Sequence, residues 1–211
     1  MIHFLIVLFA VSLLYIAITN RLEAYVKALF MQGLIIFLAV ALEAPVLNSI
    51  NFIFLMIETL GFKTIIIPLM LFKAIREMNV RREVEPYTMN FHSLGILTVM
   101  MAFAFVLAFL SRKYSPEIRP LHFGVSISTI LTGLYVIMSR KKIITHILGF
   151  IVLENGIFLL SFSISREMPL MVNLGVLLDI FIGVFLLVVV LKRIHSTFDE
   201  IHIDTLTRLT D

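Results

Sequence analysis

Four side chains supply most of the chemistry this sequence can offer in an apolar setting: Glu58, Lys63, Glu154 and Asp179. Each stands well inside a long run of Leu, Ile, Val, Phe and Met. A charge near the centre of a membrane helix costs about 2.5–3.5 kcal/mol on insertion scales. Such groups therefore face the interior of a bundle, pair with one another, or line a water path. The chemistry open to them is proton chemistry. Burial disfavours the charged form of an acid or a base, and a nearby opposite charge favours it. A carboxyl so placed can hold or release a proton near neutrality, with a lysine as its alternating partner. The bland alternative is a structural ion pair, or a neutral acid making one interhelical hydrogen bond.

Little else in the chain is chemically pointed. Without cysteine there are no disulfides, thiolate-held zinc or iron–sulfur sites. The six histidines show no metal-ligand spacing, and no metal site or bound cofactor is expected. No phosphate loop, dinucleotide fingerprint or nucleophile elbow is present, so no catalytic centre is expected either. His146 lies two turns before Glu154 and is a secondary candidate as an access point; His122 opens a run at its outer edge. Asn155 and Asn173 could each hold a bridging water or bond across helices, and Pro68 frees a backbone carbonyl near Lys63.

The elements that must position these groups follow from composition. Of 211 residues, 60% are hydrophobic and 15% charged. The mean hydropathy is +1.06. A soluble domain is about 45–50% apolar and about 25% charged, so a soluble enzyme, a disordered chain and a nucleic-acid binder are excluded. A spanning helix needs about 20 apolar residues, and seven such runs are read: 3–19, 25–43, 51–72, 92–110, 121–138, 143–164 and 170–191. Strict alternation is missing, which argues against a β-barrel. The first run has neither basic residues before it nor a small-residue cleavage site after it, so it is expected to be a span and not a cleaved leader.

The basic residues orient the bundle. With the N-terminus outside, 12 of the 17 fall in cytoplasmic segments: Arg21, Lys27, Lys73, Arg76, Arg81, Arg82, Arg140, Lys141, Lys142, Lys192, Arg193 and Arg208. Four fall outside: Arg112, Lys113, Arg119 and Arg166. The expected fold is an all-α polytopic membrane bundle, N-out and C-in. Spans 1–3 and 5–7 share a layout of basic turn, base-poor outer loop and an acid on the third helix. This reads either as a 3+1+3 parallel repeat or as two hairpin sets obeying the same rule. The expected regions are an N-terminal four-helix region, 1–111, a three-helix region, 112–194, and a cytoplasmic tail, 195–211.

Depth ranks the candidates. At 1.5 Å per residue, Lys63 lies ~14 Å, Glu154 ~17 Å and Asp179 ~18 Å from the cytoplasmic ends of their spans. Three titratable groups on three helices thus share one level, the arrangement expected of a lateral proton or ion relay. Glu58 lies nearer the outside, at ~21 Å, and five residues from Lys63 puts it on another face of an α-helix. It ranks below the others, as a secondary candidate beside Asn155 and His146.

The segments HILGFIVLENGIFLL, 146–160, and NLGVLLDIFIGVFLLVVVLKRI, 173–194, resemble component E of hydrogenase-4, of the group 4 energy-converting hydrogenases and formate hydrogenlyases. Glu154-Asn155-Gly156, Asp179, and Asp204 before a Thr-Leu-Thr run carry that resemblance; GFKTIIIPL, 61–69, is similar to the family's third span, with Lys63 in place. Spans 5–7 also resemble the K-type (4L) subunit of complex I, which has membrane carboxylates on its second and third helices. Asp179 falls where the second is expected. The first would fall near Ile151, one turn from Glu154 and roughly on the same face.

The resemblance implies a non-redox membrane-arm subunit in a prokaryotic plasma membrane, sharing a proton path with antiporter-like subunits. Nickel–iron and iron–sulfur centres would sit on peripheral hydrogenase partners. Two other readings stay open: a K-type-like subunit of a multisubunit cation/proton antiporter, and a scaffold whose buried charges only lock helices together.

The expected sidedness can be read directly, because the native chain has no cysteine. A thiol introduced by Asn79→Cys should react with a membrane-impermeant reagent only in inside-out vesicles. One introduced by Ser115→Cys should react only in right-side-out vesicles; the opposite pattern reverses the orientation.

Overall fold

The computed structural model describes residues 1–42, 49–77, 90–114, 118–164, 181 and 183. Among the described residues the chain is helical and contains no β-strand. In order, the helices are α1 (Ile2–Ile18), α2 (Leu22–Leu42), α3 (Ser49–Ile57), α4 (Ile67–Glu77), α5 (Asn90–Tyr114), α6 (Pro120–Ser139) and α7 (Ile143–Ile164). A π-helical segment, Glu58–Ile66, joins α3 to α4 without a break, so the three form one rod. Five of the resulting rods are long and apolar enough to cross a membrane. The chain is therefore a multi-pass membrane protein. The shorter α1 is apolar on both faces: it buries Ile6, Phe9, Leu13 and Ile16 and exposes Phe4, Val7, Val11 and Tyr15. A helix with that pattern suits a bundle whose outer surface meets hydrocarbon. The seventh expected span, with Asp179 and Asn173, lies outside the described residues apart from Phe181 and Gly183, as does the tail; the 3+1+3 comparison needs that span.

Two short turns lie together at one end of the bundle. The α1–α2 and α6–α7 turns, both assigned to the cytoplasmic side, meet each other. Arg140 is buried at the end of α6 and donates to Asn20 Oδ1 at 2.8 Å and to the Thr19 carbonyl at 3.4 Å. Its guanidinium carbon also stands 5.8 Å from the centre of the Tyr25 ring. At the other end, His3 of α1 and His122 of α6 set their rings edge to face, centroids 5.7 Å apart. Pro120 starts α6 where a missing N–H costs nothing, after an extended Arg119.

Helices α6 and α7 make the closest crossing, and glycines permit it. A methyl group at Gly133 would stand 2.6 Å from the backbone nitrogen of Leu153; one at Gly156 would stand 2.7 Å from that of Ile130. Gly149 meets the Gly133 carbonyl in the same way, at 3.0 Å. Small residues at membrane helix contacts let backbones approach and gain dispersion contacts that lipid cannot replace. The hydroxyls of Ser126, Ser128, Thr129 and Thr132 on α6 donate to carbonyls three or four residues earlier at 2.6–2.8 Å, so they are satisfied within their own helix. Helix α5 exposes Val99, Phe103, Val106 and Phe109 and forms an outer wall.

Helix α2 is the central element. It packs on α1, on the π segment, on α4 and on α7. Gly33 lets it lie against the π segment, since a methyl there would come within 2.9 Å of the Lys63 carbonyl oxygen.

Replacing Gly133 or Gly156 by Ala should force α6 and α7 apart and cost about 1–3 kcal/mol, the usual range for overpacking. The check is the thermal midpoint in detergent, with Gly95→Ala as reference, because a methyl at Gly95 meets nothing within 4 Å.

Candidate functional site

The π segment is what brings the buried charges together. In an α-helix, residues five apart point well away from each other. Bonding from i to i+5 widens the turn, and residues five apart come closer to one line. Within Glu58–Ile66, the Thr64 hydroxyl donates to the Thr59 carbonyl at 2.7 Å across that spacing, and the Ile67 N–H reaches the Phe62 carbonyl. Pro68 gives a reason for the widening. In α geometry its ring would crowd the carbonyl four residues back. It also has no N–H to offer the Lys63 carbonyl, its i–5 partner, and that carbonyl lies against Gly33.

The consequence is that Glu58, Thr59, Lys63 and Thr64 are all buried. Glu58 is 2% exposed and Lys63 5%. Expecting these two on different faces was wrong for a physical reason: the rotation assumed was that of an α-helix. Glu58 lies within electrostatic reach of both Lys63 and Glu154.

Lys63 and Glu154 form a buried ion pair. The lysine ammonium donates to Glu154 Oε1, across 91 residues of sequence. The ammonium also stands 4.4 Å from the centre of the Phe158 ring, one turn along α7 from Glu154. A carboxylate on one side and an aromatic face on the other hold the cation. The second oxygen of Glu154 and Oε2 of Glu58 are buried with no hydrogen-bond partner among the described residues.

A second polar line leaves the pair through α2. Asn155 donates to Gln32 Oε1 at 3.3 Å, Gln32 donates to the Ser12 hydroxyl at 2.9 Å, and Ser12 donates to the Phe9 carbonyl at 2.6 Å. Gln32 is fully buried. Ser12, Gln32 and Phe158 were not singled out in the sequence. The available signal was Gln32 itself, an amide in an otherwise apolar span, since a buried amide needs partners.

Of the residues expected to act together, the structure joins Lys63 with Glu154 and places Glu58 and Asn155 beside them. His146 bonds through Nδ1 with the Lys142 carbonyl at 2.8 Å, inside the first turn of α7, so it is not brought to the pair. Asp179 lies outside the described residues; Phe181, two positions later, sets its ring edge to face with Phe62 of the π segment, centroids 6.4 Å apart.

Residues 121–211 match the family model for NADH-ubiquinone/plastoquinone oxidoreductase chain 4L. The C-terminal part of the chain is thus 4L-like, and the matched segment takes in α7 and all of α6 but Pro120. An uncharacterized protein of Mycobacterium tuberculosis is 26% identical over 90% of this chain and 87% of its own length. Hydrogenase-4 component E of Escherichia coli (strain K12) is 27% identical over 55% of this chain, and the chain spans about half of that relative, 53%. Component E of Shigella flexneri aligns with the same identity and coverage. The similarity to hydrogenase-4 component E read from residues 146–194 is therefore found, as is that of the C-terminal spans to the 4L subunit. No solved structure matches the chain.

Removing one member of a buried pair leaves the other uncompensated, which costs about 3–5 kcal/mol, whereas replacing both by apolar groups is often near neutral. Lys63→Met alone should therefore lower stability more than Lys63→Met combined with Glu154→Met. Thermal unfolding of the three proteins in detergent measures the coupling; strictly additive losses would contradict the pair.

Proposed function

We propose that this chain is a membrane-arm subunit of an energy-converting, hydrogenase-type assembly related to complex I. In this reading Lys63, Glu154 and Asp179 contribute buried charges to its coupled proton translocation. The observation that carries it is the Lys63–Glu154 ion pair, held in the bundle interior beside a third ionisable group, Glu58. A pair that can exchange a proton at such a place is what a membrane-embedded coupling element requires. The comparisons support the setting: the family matched by residues 121–211 is named as a chain of an oxidoreductase, and the Escherichia coli relative as a component of a hydrogenase.

The chain contributes no redox centre in this reading. Nickel–iron and iron–sulfur chemistry belongs to peripheral hydrogenase subunits, and neighbouring antiporter-like subunits continue the proton path. The assembly sits in a prokaryotic plasma membrane. Events in the redox partners alter which of Lys63, Glu154 and Asp179 holds a proton. Glu154 changes its charge by taking or giving that proton, Lys63 supplies the compensating cation, and Asp179 is the next acceptor along the layer. The surrounding apolar side chains keep bulk water from short-circuiting the transfer.

Isolation of the chain from its native membrane tests the assembly. Companion proteins with nickel–iron and iron–sulfur motifs are expected, and a lone homo-oligomer would overturn the reading. In the intact assembly, Glu154→Gln and Asp179→Asn should each slow proton translocation at least about ten-fold, equivalent to ~1.4 kcal/mol of barrier. Unchanged translocation per assembled complex, with assembly itself reduced, would instead make the chain a scaffold.

A further inference from the structure

Glu58 has no role in the path just described, yet it is as deeply buried as the ion pair. Its Oε2 and the Oε2 of Glu154 are two buried acceptors with no hydrogen-bond partner among the described residues. Glu154 is in contact with Lys63, and Glu58 lies within electrostatic reach of the same lysine. Glu58 shares the π segment with Lys63 at the i+5 spacing, and Glu154 reaches it from α7. Helix α2, packed against the π segment and α7, presents Gln32 and Gly33 here, neither of them ionisable.

We propose that Lys63 is shared between Glu58 and Glu154, and that these three residues hold one proton that passes between the two acids as the ammonium changes partner. The proposal rests on the proton-handling reading above and gives Glu58 the part of second terminus. Two carboxylates and one ammonium carry a net charge of −1, which is costly in an apolar bundle, and one bound proton brings the sum to zero. In the state described here the ammonium is with Glu154, so the proton resides on Glu58. In the other state the ammonium is with Glu58 and the proton on Glu154.

The step balances without any co-reactant. Lys63 gives a proton to Glu154, breaking an N–H bond and forming an O–H bond. The resulting amine takes the proton of Glu58, and that O–H bond breaks as the N–H bond re-forms. Lysine is a cation at both ends of the exchange. Its flexible stem and three donors suit a moving partner better than the rigid fork of arginine would. The Phe158 face, 4.4 Å from the ammonium, offers support during the change. The widened π turn is what puts the second acid within range of the lysine.

Infrared spectroscopy of the intact complex in its membrane, edited by isotope-labelled glutamate, tests this. Labelling glutamate alone keeps Asp179 out of the signal, and subtracting the spectrum of the Glu58→Gln/Glu154→Gln double variant removes the glutamates of the partner subunits. The resting wild type should show a protonated-glutamate carbonyl band, and Glu58→Gln should remove it. The decisive variant is Glu154→Gln: Lys63 then turns to Glu58 and ionises it, so the band should vanish there too. Lys63→Gln should leave both acids protonated and about double the band. Persistence of the band in Glu154→Gln would overturn the shared lysine, because Glu58 would then be neutral independently of the pair. No band in the wild type, or a band that survives Glu58→Gln, overturns it as well.

If Glu154→Gln does not accumulate, the Lys63→Gln spectrum decides, and an unchanged band there counts against the proposal. Proton translocation in the same membranes separates the two levels. Translocation that is lost in Glu154→Gln while the band persists refutes the exchange alone. Translocation unaffected by Glu58→Gln and Glu154→Gln refutes the relay and, with it, the exchange.

Discussion

A lysine and a glutamate that meet inside an apolar bundle must stay together, because either one left alone is a bare charge in a medium that cannot solvate it. The rest of this molecule can be understood from that requirement. Lys63 is on the third rod and Glu154 on α7. Contact between them demands that two rods far apart in sequence be fixed to within the reach of one side chain. Helix α2 meets the demand. It lies against the π segment through Gly33 and bonds α7 through Gln32 and Asn155. Its own position is tied to α1 through Ser12. The Asn155–Gln32–Ser12 line thus runs from α7 through α2 to α1, beginning at the residue next to the Glu154 of the ion pair.

That arrangement explains where the fold gives up regularity. A plain α-helix through residues 58–66 would carry Glu58 and Thr59 to one side and Lys63 and Thr64 to another. The π segment turns all four inward. Wide π turns are rare and are frequently found at functional sites. Here Pro68 removes part of the α-helical alternative, so the irregularity is supported from the sequence as well as from the packing. The glycines of α6 and α7 serve the same end from the other direction. By letting those two helices touch backbone to backbone, they give Glu154 a rigid support.

Much of this was legible before any coordinates. Counting residues from span ends put Lys63 and Glu154 at one level, and they do meet. The basic-residue pattern put the α1–α2 and α6–α7 turns on one face, and Arg140 joins them. What was not legible has specific causes. The level of a residue follows from a constant rise, but its face depends on the helix type, and periodicity gives no warning of a π segment. The paired five-residue spacings of Glu58/Lys63 and Thr59/Thr64 just before Pro68 were the trace it left. Gln32 leaves little trace in the sequence because one amide barely changes the hydropathy of a 21-residue helix, although burial makes its hydrogen bonds obligatory.

The boundary of the family match adds a further constraint on how the chain is built. The 4L-like match begins at residue 121, so it includes Glu154 and leaves Lys63, Glu58 and Gln32 outside. The cation that pairs with Glu154, and the helix that packs against both partners' rods, therefore come from the N-terminal region of the same chain. Tying them covalently fixes their ratio and their sidedness, and it removes the translational cost of bringing a separate subunit's lysine to the acid. It also means that the two regions cannot be separated cleanly. Cutting between them would leave Glu154 facing an apolar interior with its countercharge gone, and that cost would fall on the most closely packed helices of the bundle.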